Sequence, residues 1–279
     1  MPSLFISDLD GTLLGRSGEL SSRSKTGIVS LFERGVNFTV ASARSHFSIR
    51  GILGDLPFEL PIIEFNGAYV TDYHSGQHLL INALPPTLSA LVLEVILRAD
   101  LRPFVSSFNG QQDSLTYDLL INEGMRWYEE RRRQAGDPRL RRVNDLHASL
   151  NDEVVSMTVM AQRRDQIVQL QDQLQAQFGQ RLQMYCYENE YSKGTWWLTI
   201  HDVRASKHIA MAWLRDRYLP AARIIAFGDN LNDVEMLRHA DRGIAVDNAI
   251  PELKSVADEV IGLCDDDAVI EYLMACLPG

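Results

Sequence analysis

The sequence predicts an α/β protein whose doubly wound parallel sheet is interrupted by a second, α+β domain. Three observations carry this reading. Short apolar runs alternate with helical periodicity from Ser3 to Phe65, and the alternation resumes from Ser206. Between them, strands and helices follow one another without strict alternation. With 279 residues the chain is long for one compact domain, so two domains are the natural expectation.

Each element follows from local pattern. Ser3–Ser7 reads as a buried strand and Ser21–Arg34 as an amphipathic helix ending at Gly35. Val36–Ala41 reads as a second strand, followed by a helix over His46–Leu53. Pro61–Phe65 is a third strand of the same sheet, closed by the turn dipeptide Asn66-Gly67. Ala68–Thr71 and His78–Ile81 form a hairpin around Ser75-Gly76. After Leu84-Pro85-Pro86 come a helix (Thr87–Ala99), strands (Arg102–Ser107 and Asp113–Asp118) and a helix (Leu119–Gln134). Ala135–Leu150 reads mainly as loop. A strand (Glu153–Ala161), a helix (Arg164–Phe178) and two strands (Arg181–Tyr187 and Trp196–His201) follow. Residues 84–190 are therefore read as an inserted domain, and 1–83 with 191–279 as the core. The core resumes with helix Lys207–Tyr218, strand Arg223–Phe227, helix Asn232–His239 and strand Gly243–Val246. Helix Pro251–Ala257, strand Glu259–Ile261 and helix Ala268–Cys276 complete it.

Composition narrows the function classes. Hydrophobic residues at 46% and charged residues at 23% suit a folded protein, and a net charge of −10 argues against a nucleic-acid partner. A phosphorylated metabolite remains compatible, provided metal, Lys or Arg reverses the charge locally. The three cysteines, Cys186, Cys264 and Cys276, are widely spaced and read as free thiols in a reducing compartment. Met1-Pro2-Ser3-Leu4 does not open a signal peptide, and no apolar run approaches a membrane span. A cytoplasmic protein without a membrane partner is expected. The sequence carries no signal of oligomeric state.

The chemistry gathers where predicted parallel strands end. Asp8 and Asp10 follow Ser3–Ser7, Ser42 follows Val36–Ala41, and Asp229 and Asp233 follow Arg223–Phe227. In open α/β sheets that edge binds ligands. Two carboxylates ahead of a glycine-led turn suit a divalent cation and a nucleophilic carboxylate sharing one site. Each signal also has a structural reading: Asp10-Gly11 as a turn, Ser42 as a helix cap, and Asp229 and Asp233 as a cap and a first-turn acid. Lys207 opens a helix, where a cation opposes the dipole, and this placement favours a functional role.

Taken together, these segments resemble the haloacid dehalogenase superfamily, in its Cof-like phosphatase branch with a type IIB cap. The matching stretches are Asp8-Leu9-Asp10-Gly11-Thr12-Leu13-Leu14, Ala41-Ser42-Ala43-Arg44, Asn66-Gly67-Ala68, Lys207, Gly228-Asp229-Asn230-Leu231-Asn232-Asp233 and Gly243-Ile244-Ala245-Val246-Asp247-Asn248-Ala249. They occur in the family order along nearly the whole chain. The resemblance implies a Rossmann-like core with an inserted cap, and hydrolysis of small phosphorylated metabolites with Mg²⁺ as cofactor. Sugar phosphates and phosphorylated cofactors are the substrates it implies.

In that scheme Asp8 is the nucleophile and Asp10 the general acid and base, with its main-chain carbonyl also a metal ligand. Asp229 completes the metal site, and Asp233 and Asn232 support it from outside or through water. Ser42 and Lys207 hold the phosphoryl group and balance its charge, with backbone N–H groups near Leu9 and Gly11 as further donors. Asn248 and, less clearly, Asn66 sit in turns that also favour Asn for backbone reasons. The cap closes over the core, and its loops Asn109–Asp113 and Glu188–Lys193 are candidates for specificity.

The chain departs from the family pattern at three places: Ser42 stands for Thr, Ala43 for Gly, and Asp247 adds charge where Gly is frequent. Arg44 is read as serving structure or substrate rather than catalysis, Arg131–Arg133 as a solvated face, and Trp196-Trp197 as packing. His46, His201 and His208 show no metal-ligand pairing. Alternatives on the same scaffold are a phosphomutase or phosphotransferase. A phosphoacceptor signalling domain fits less well, because such domains lack Asp-x-Asp after the first strand and a large insertion.

Overall fold

The structure, a computed structural model, describes residues 2–189 and 192–276. The chain divides into two compact units, Met1–Ile81 with Ser206–Gly279, and Asn82–Ala205. The first unit begins with β1 (Ser3–Ser7), α1 (Ser22–Glu33), β2 (Asn37–Val40) and α2 (His46–Leu53). Ser21 caps α1 by accepting the Ser24 N–H at 2.9 Å, and Ile28 and Leu31 turn its apolar face into the core. Then come β3 (Ile62–Glu64), β4 (Tyr69–Thr71) and β5 (His78–Ile81).

The expectation that Pro61–Phe65 is a full strand of the parallel sheet needs correction. β3 touches that sheet through an Ala41–Ile63 bridge and otherwise pairs antiparallel with β4, in a separate sheet of order β3-β4-β5. The backbone explains the departure. Phe65, Asn66 and Gly67 all take positive φ (48°, 56° and 96°), which turns the chain back before a parallel strand can extend. Gly67 has no alternative residue, because a Cβ there would lie 2.4 Å from the Ser206 carbonyl oxygen.

The inserted unit contains α3 (Pro86–Arg98), β6 (Pro103–Phe108), β7 (Asp113–Tyr117), α4 (Glu123–Gln134) and β8 (Leu140–Arg142). These are followed by β9 (Glu153–Ala161), α5 (Arg164–Phe178), β10 (Leu182–Glu188) and β11 (Trp196–Asp202). Its sheet has the order β10-β11-β9-β6-β7-β8 and is antiparallel except for the β7–β8 pair. The unit runs to Ala205 rather than to 190, because β11 pairs with both β9 and β10. α4 starts at Glu123 rather than 119, since Asn122 caps it by accepting the Met125 N–H at 2.9 Å. Within the stretch read as loop, β8 pairs with β7 along its whole length, from Leu140 to Arg142, and a 3₁₀ turn covers Leu146–Asn151. Of the two candidate specificity loops, Asn109–Asp113 is a tight turn between β6 and β7 whose Asn109 side chain accepts from Gln111 and Gln112 N–H groups. In the other, Glu190 and Tyr191 lie outside the described residues.

The chain then returns to the first unit as α6 (Lys207–Tyr218), β12 (Arg223–Gly228), α7 (Val234–His239) and β13 (Arg242–Ala245). α8 (Pro251–Lys254), β14 (Glu259–Val260) and α9 (Ala268–Ala275) complete it. The sheet order β14-β13-β12-β1-β2, with every pair parallel, is the doubly wound architecture expected. The wind reverses between β1 and β12, the switch point where such sheets bind ligands. Strands buried on both faces read as continuous apolar runs, and Leu4, Ile6, Phe38, Val40, Ile224, Phe227 and Ile244 join one core. Among the described residues, no helix is long and apolar enough to cross a membrane. All three cysteines are free.

Candidate active site

β1 and β12 end side by side, and each delivers a carboxylate. Asp8 follows β1 with its N–H bonded to the Phe227 carbonyl at 2.9 Å, and Asp229 follows β12. Carboxylate oxygens of Asp8, Asp229 and Asp233 all lie within 4.8 Å of one another. Gly11 makes this approach possible. It takes φ of +74°, and a Cβ at that position would meet Asp229 Oδ2 at 2.6 Å. Thr12 donates its hydroxyl to Asp229 at 3.3 Å, while the Leu9 carbonyl accepts the N–H groups of Thr12 and Leu14 and closes the turn.

Lys207, at the first position of α6, is fully buried and donates to Asp8 Oδ1 at 2.5 Å and to Asp233 Oδ1 at 2.7 Å. Those two carboxylates offset the unfavourable position of a cation at a helix start. Asp233 is fully buried, and its other oxygen accepts the N–H groups of Asp229 and Asn230, both at 3.1 Å. It therefore caps its turn and anchors Lys207 at once. Gly228 has no Cβ for a related reason, since one would stand 2.5 Å from that of Asp233.

The charge balance of this cluster is uneven. Burial pushes Asp8 up to about 7; Lys207 opposes the rise, while Asp233 and Asp10 add to it. Burial, with the charges of Asp8 and Asp233, pushes Asp229 up to about 9. Burial acts to lower Lys207, but Asp233 and Asp8 outweigh it and hold the ammonium charged. Three carboxylates thus share one lysine, and without further positive charge burial and mutual repulsion push Asp8 and Asp229 upward. A divalent cation with oxygen ligands fits this donor set and would offset that repulsion.

The remaining expected residues are distributed around this centre. The Asp10 carboxylate is not one of the converging three. Both its oxygens are taken by Arg44, with Nε–Oδ2 at 2.7 Å and Nη2–Oδ1 at 2.6 Å. Ser42 is buried and does not cap α2, a task performed by Ser45; its hydroxyl accepts the Arg44 N–H at 3.1 Å. Asn248 braces the Asp10-Gly11 turn, donating to the Gly11 carbonyl at 2.7 Å and accepting the Cys264 N–H at 3.0 Å. Asn232 donates to the Asn66 side chain at 2.9 Å.

Two of the departures have local explanations. Ala43 is absent from the residues with positive φ, so no glycine is required there. The Asp247 carboxylate is exposed and ion-paired with Lys254 at 3.0 Å, which neutralises the charge it adds near the site. The grip of Arg44 on Asp10 and the contact of Thr12 with Asp229 are absent from the sequence reading. Thr12 lies inside the Asp8–Leu14 segment, four residues from Asp8, where its hydroxyl is a local signal. Arg44 is 34 residues from its partner, and nothing in the spacing signals the pair.

The family model for haloacid dehalogenase-like hydrolases matches residues 5–273. The chain belongs to the haloacid dehalogenase-like hydrolase family. An HMP-PP phosphatase from Yersinia pestis (strain Pestoides F) is 28% identical over 278 residues, covering 95% of this chain and 92% of the relative. A haloacid dehalogenase-like hydrolase from Bacteroides thetaiotaomicron superposes with a TM-score of 0.78 at 20% identity, covering 99% of this chain and 100% of that one. A sugar phosphatase of haloacid dehalogenase subclass IIB superposes with a TM-score of 0.74 at 17% identity, covering 98% of each chain. The last two establish a shared fold. The haloacid dehalogenase assignment rests on nearly the full length of the chain and includes both halves of the split core.

Proposed function

We propose that this enzyme is a Mg²⁺-dependent phosphomonoester hydrolase that acts on small phosphorylated metabolites through an aspartyl-phosphate at Asp8. The observation that carries the reading is the convergence of Asp8, Asp229 and Asp233 within 4.8 Å, with Lys207 bridging Asp8 and Asp233, at the switch point of a parallel sheet. Names of relatives, an HMP-PP phosphatase and a sugar phosphatase, support the substrate class.

In the first step an Asp8 oxygen forms a bond to phosphorus as the bond to the leaving oxygen breaks, and the protonated Asp10 carboxyl gives its proton to that oxygen. In the second, water attacks the same phosphorus and surrenders a proton to the Asp10 carboxylate. The Asp8–phosphorus bond breaks, inorganic phosphate leaves, and the Asp8 carboxylate and the protonated Asp10 carboxyl are regenerated. Asp8 and Asp229, with the Asp10 main-chain carbonyl, would hold the cation and Asp233 would support it; bound there, Mg²⁺ supplies positive charge against which the anionic phosphoryl group can approach. Lys207 keeps Asp8 oriented and balances charge, and the Ser42 hydroxyl with N–H groups near Leu9 and Gly11 offers donors to phosphoryl oxygens. Asn232 and Asn248 complete the phosphate-side lining in this reading, and the inserted unit acts as the specificity cap of a cytoplasmic enzyme.

The test pairs a variant with a substrate panel. Asp8→Asn should lose about 10⁴-fold or more of the turnover of sugar phosphates, phosphorylated cofactors and HMP-PP. Its circular dichroism should match the parent, and chelation followed by Mg²⁺ should abolish and restore parent activity. A correctly folded Asp8→Asn protein that turns over at the parental rate would refute the nucleophile.

A further inference from the structure

Arg44 presents its guanidinium edge to Asp10 as a two-point fork, Nε to Oδ2 at 2.7 Å and Nη2 to Oδ1 at 2.6 Å. A fork–fork pair fixes distance and also the plane and direction of the carboxylate. Arg44 is itself held at its backbone. Its N–H reaches the Ser42 hydroxyl at 3.1 Å, and its carbonyl accepts the Phe65 N–H at 3.1 Å, at the start of the left-handed Phe65-Asn66-Gly67 turn. From the other side, Asn248 holds the Gly11 carbonyl at 2.7 Å, so the turn carrying Asp10 is braced at main chain and side chain together. Both side chains are partly open, with 23% of the Arg44 and 38% of the Asp10 side chain exposed, so the pair borders solvent.

The pairing separates two carboxylates that stand two residues apart. Asp8 joins the cluster with Asp229 and Asp233, and Asp10 is drawn out of it. Nε and Nη2 are engaged with Asp10, which opposes a reading of Arg44 as primarily a phosphoryl ligand.

We propose that Arg44 is the positioning residue for Asp10: its fork aims the carboxylate that gives a proton to the leaving oxygen and receives one from water. This rests on the acid–base reading of Asp10 above. Placing a proton donor badly matters only where a proton is needed. An alkoxide must be protonated as it leaves, whereas p-nitrophenolate departs as the anion. The quantity kcat/KM reports phosphoryl transfer to Asp8, and the later hydrolysis of the aspartyl-phosphate enters only kcat.

The experiment compares kcat/KM of the full-length Mg²⁺-loaded enzyme for an alkyl phosphate and for p-nitrophenyl phosphate, with Arg44→Met, Asp10→Asn and the double variant. Arg44→Met should lose about 10²-fold on the alkyl ester and stay within about threefold on the nitrophenyl ester. With the nitrophenyl ester kcat and KM should fall together, because the aspartyl-phosphate accumulates. The alkyl-ester loss should disappear in the Asp10→Asn background, and inhibition by inorganic phosphate should not change. Equal losses on both esters with weakened phosphate inhibition would make Arg44 a phosphoryl ligand and overturn the proposal; so would an alkyl-ester rate equal to the parent. If Arg44→Met does not fold, Arg44→Lys keeps the charge and loses the fork. A smaller loss of the same pattern supports the proposal, and parental kinetics refute it. Should Asp10→Asn itself show no dependence on leaving group, the acid–base reading fails first. An ordinary Asp10 pattern with an indifferent Arg44 sinks the positioning role alone.

Discussion

The two units bury charge in opposite ways. In the inserted unit every buried carboxylate at the β7–α4–β8 edge has a cationic neighbour: Asp137 receives Arg139 Nε at 2.9 Å and Nη2 at 2.7 Å, and Glu129 is paired with Arg133 and the Tyr117 hydroxyl. Burial acts to raise Asp137, but hydrogen bonds and charge from Arg139 outweigh it and hold the carboxyl below its ordinary value. In the core, three carboxylates share Lys207, and Asp8 and Asp229 are pushed up. Paired charge is ordinary architecture. A buried excess of one sign is a cost to folding that persists where a ligand of the opposite sign removes it, and it marks the site more clearly than any cavity does.

This contrast makes opposite predictions for one removed charge. The largest effect belongs to the inserted unit, where Arg139→Met removes both side-chain hydrogen bonds from the buried Asp137 carboxylate and leaves it only one cation, Arg132, at 3.9 Å. Urea unfolding should show a loss of about 3–5 kcal/mol; an unchanged midpoint would mean the pair is dispensable. In the core the sign reverses. A carboxyl whose folded value lies above its unfolded one contributes stability that is present below the unfolded value and lost as pH rises toward the folded value. For Asp229 that window runs from 3.8 to about 9. Asp229→Asn should therefore stabilise the metal-free protein by about 2–4 kcal/mol at pH 7. Thermal melting should show a higher midpoint than the parent without metal, together with a lost response to Mg²⁺. A lower metal-free midpoint would contradict the excess-charge account. The smallest effect is a proton count. With Asp229 pushed up to about 9 without metal, Mg²⁺ binding at pH 7 should release on the order of one proton, read by titration calorimetry in buffers of different ionisation enthalpy. Release of none would mean that the carboxylates are already ionised.

What could be read from the sequence has a physical boundary. The doubly wound core was legible because strands buried on both faces leave unbroken apolar runs, as in Leu4-Phe5-Ile6 and Ile224-Ile225-Ala226. Asp8, Asp229 and Lys207 stood out because each adjoins an element boundary that local pattern locates. Partner choice was another matter. That β11 belongs with β9 and β10, that β3 leaves the parallel sheet, and that Arg44 seizes Asp10 depend on tertiary neighbours no local window contains. In the sequence Asn248 reads equally as turn-former and as ligand. Its geometry adds a third possibility, a clamp on the carbonyl of Gly11.

The pairing of β1 with β12 has a consequence for the order in which the living chain matures. The hydrogen-bonding edge of β1 that β12 will occupy is synthesised near the start, and its partner follows only after the whole insertion has been made. At ribosomal speeds the delay is on the order of ten seconds. During that interval β1 can pair with β2 alone, and its other edge is open. Asp8 meets Asp229 only when that edge closes, so the carboxylate cluster cannot assemble before β12 has paired with β1. A nascent chain long enough to contain Asp8 and the complete insertion still lacks Lys207, Asp229 and Asp233.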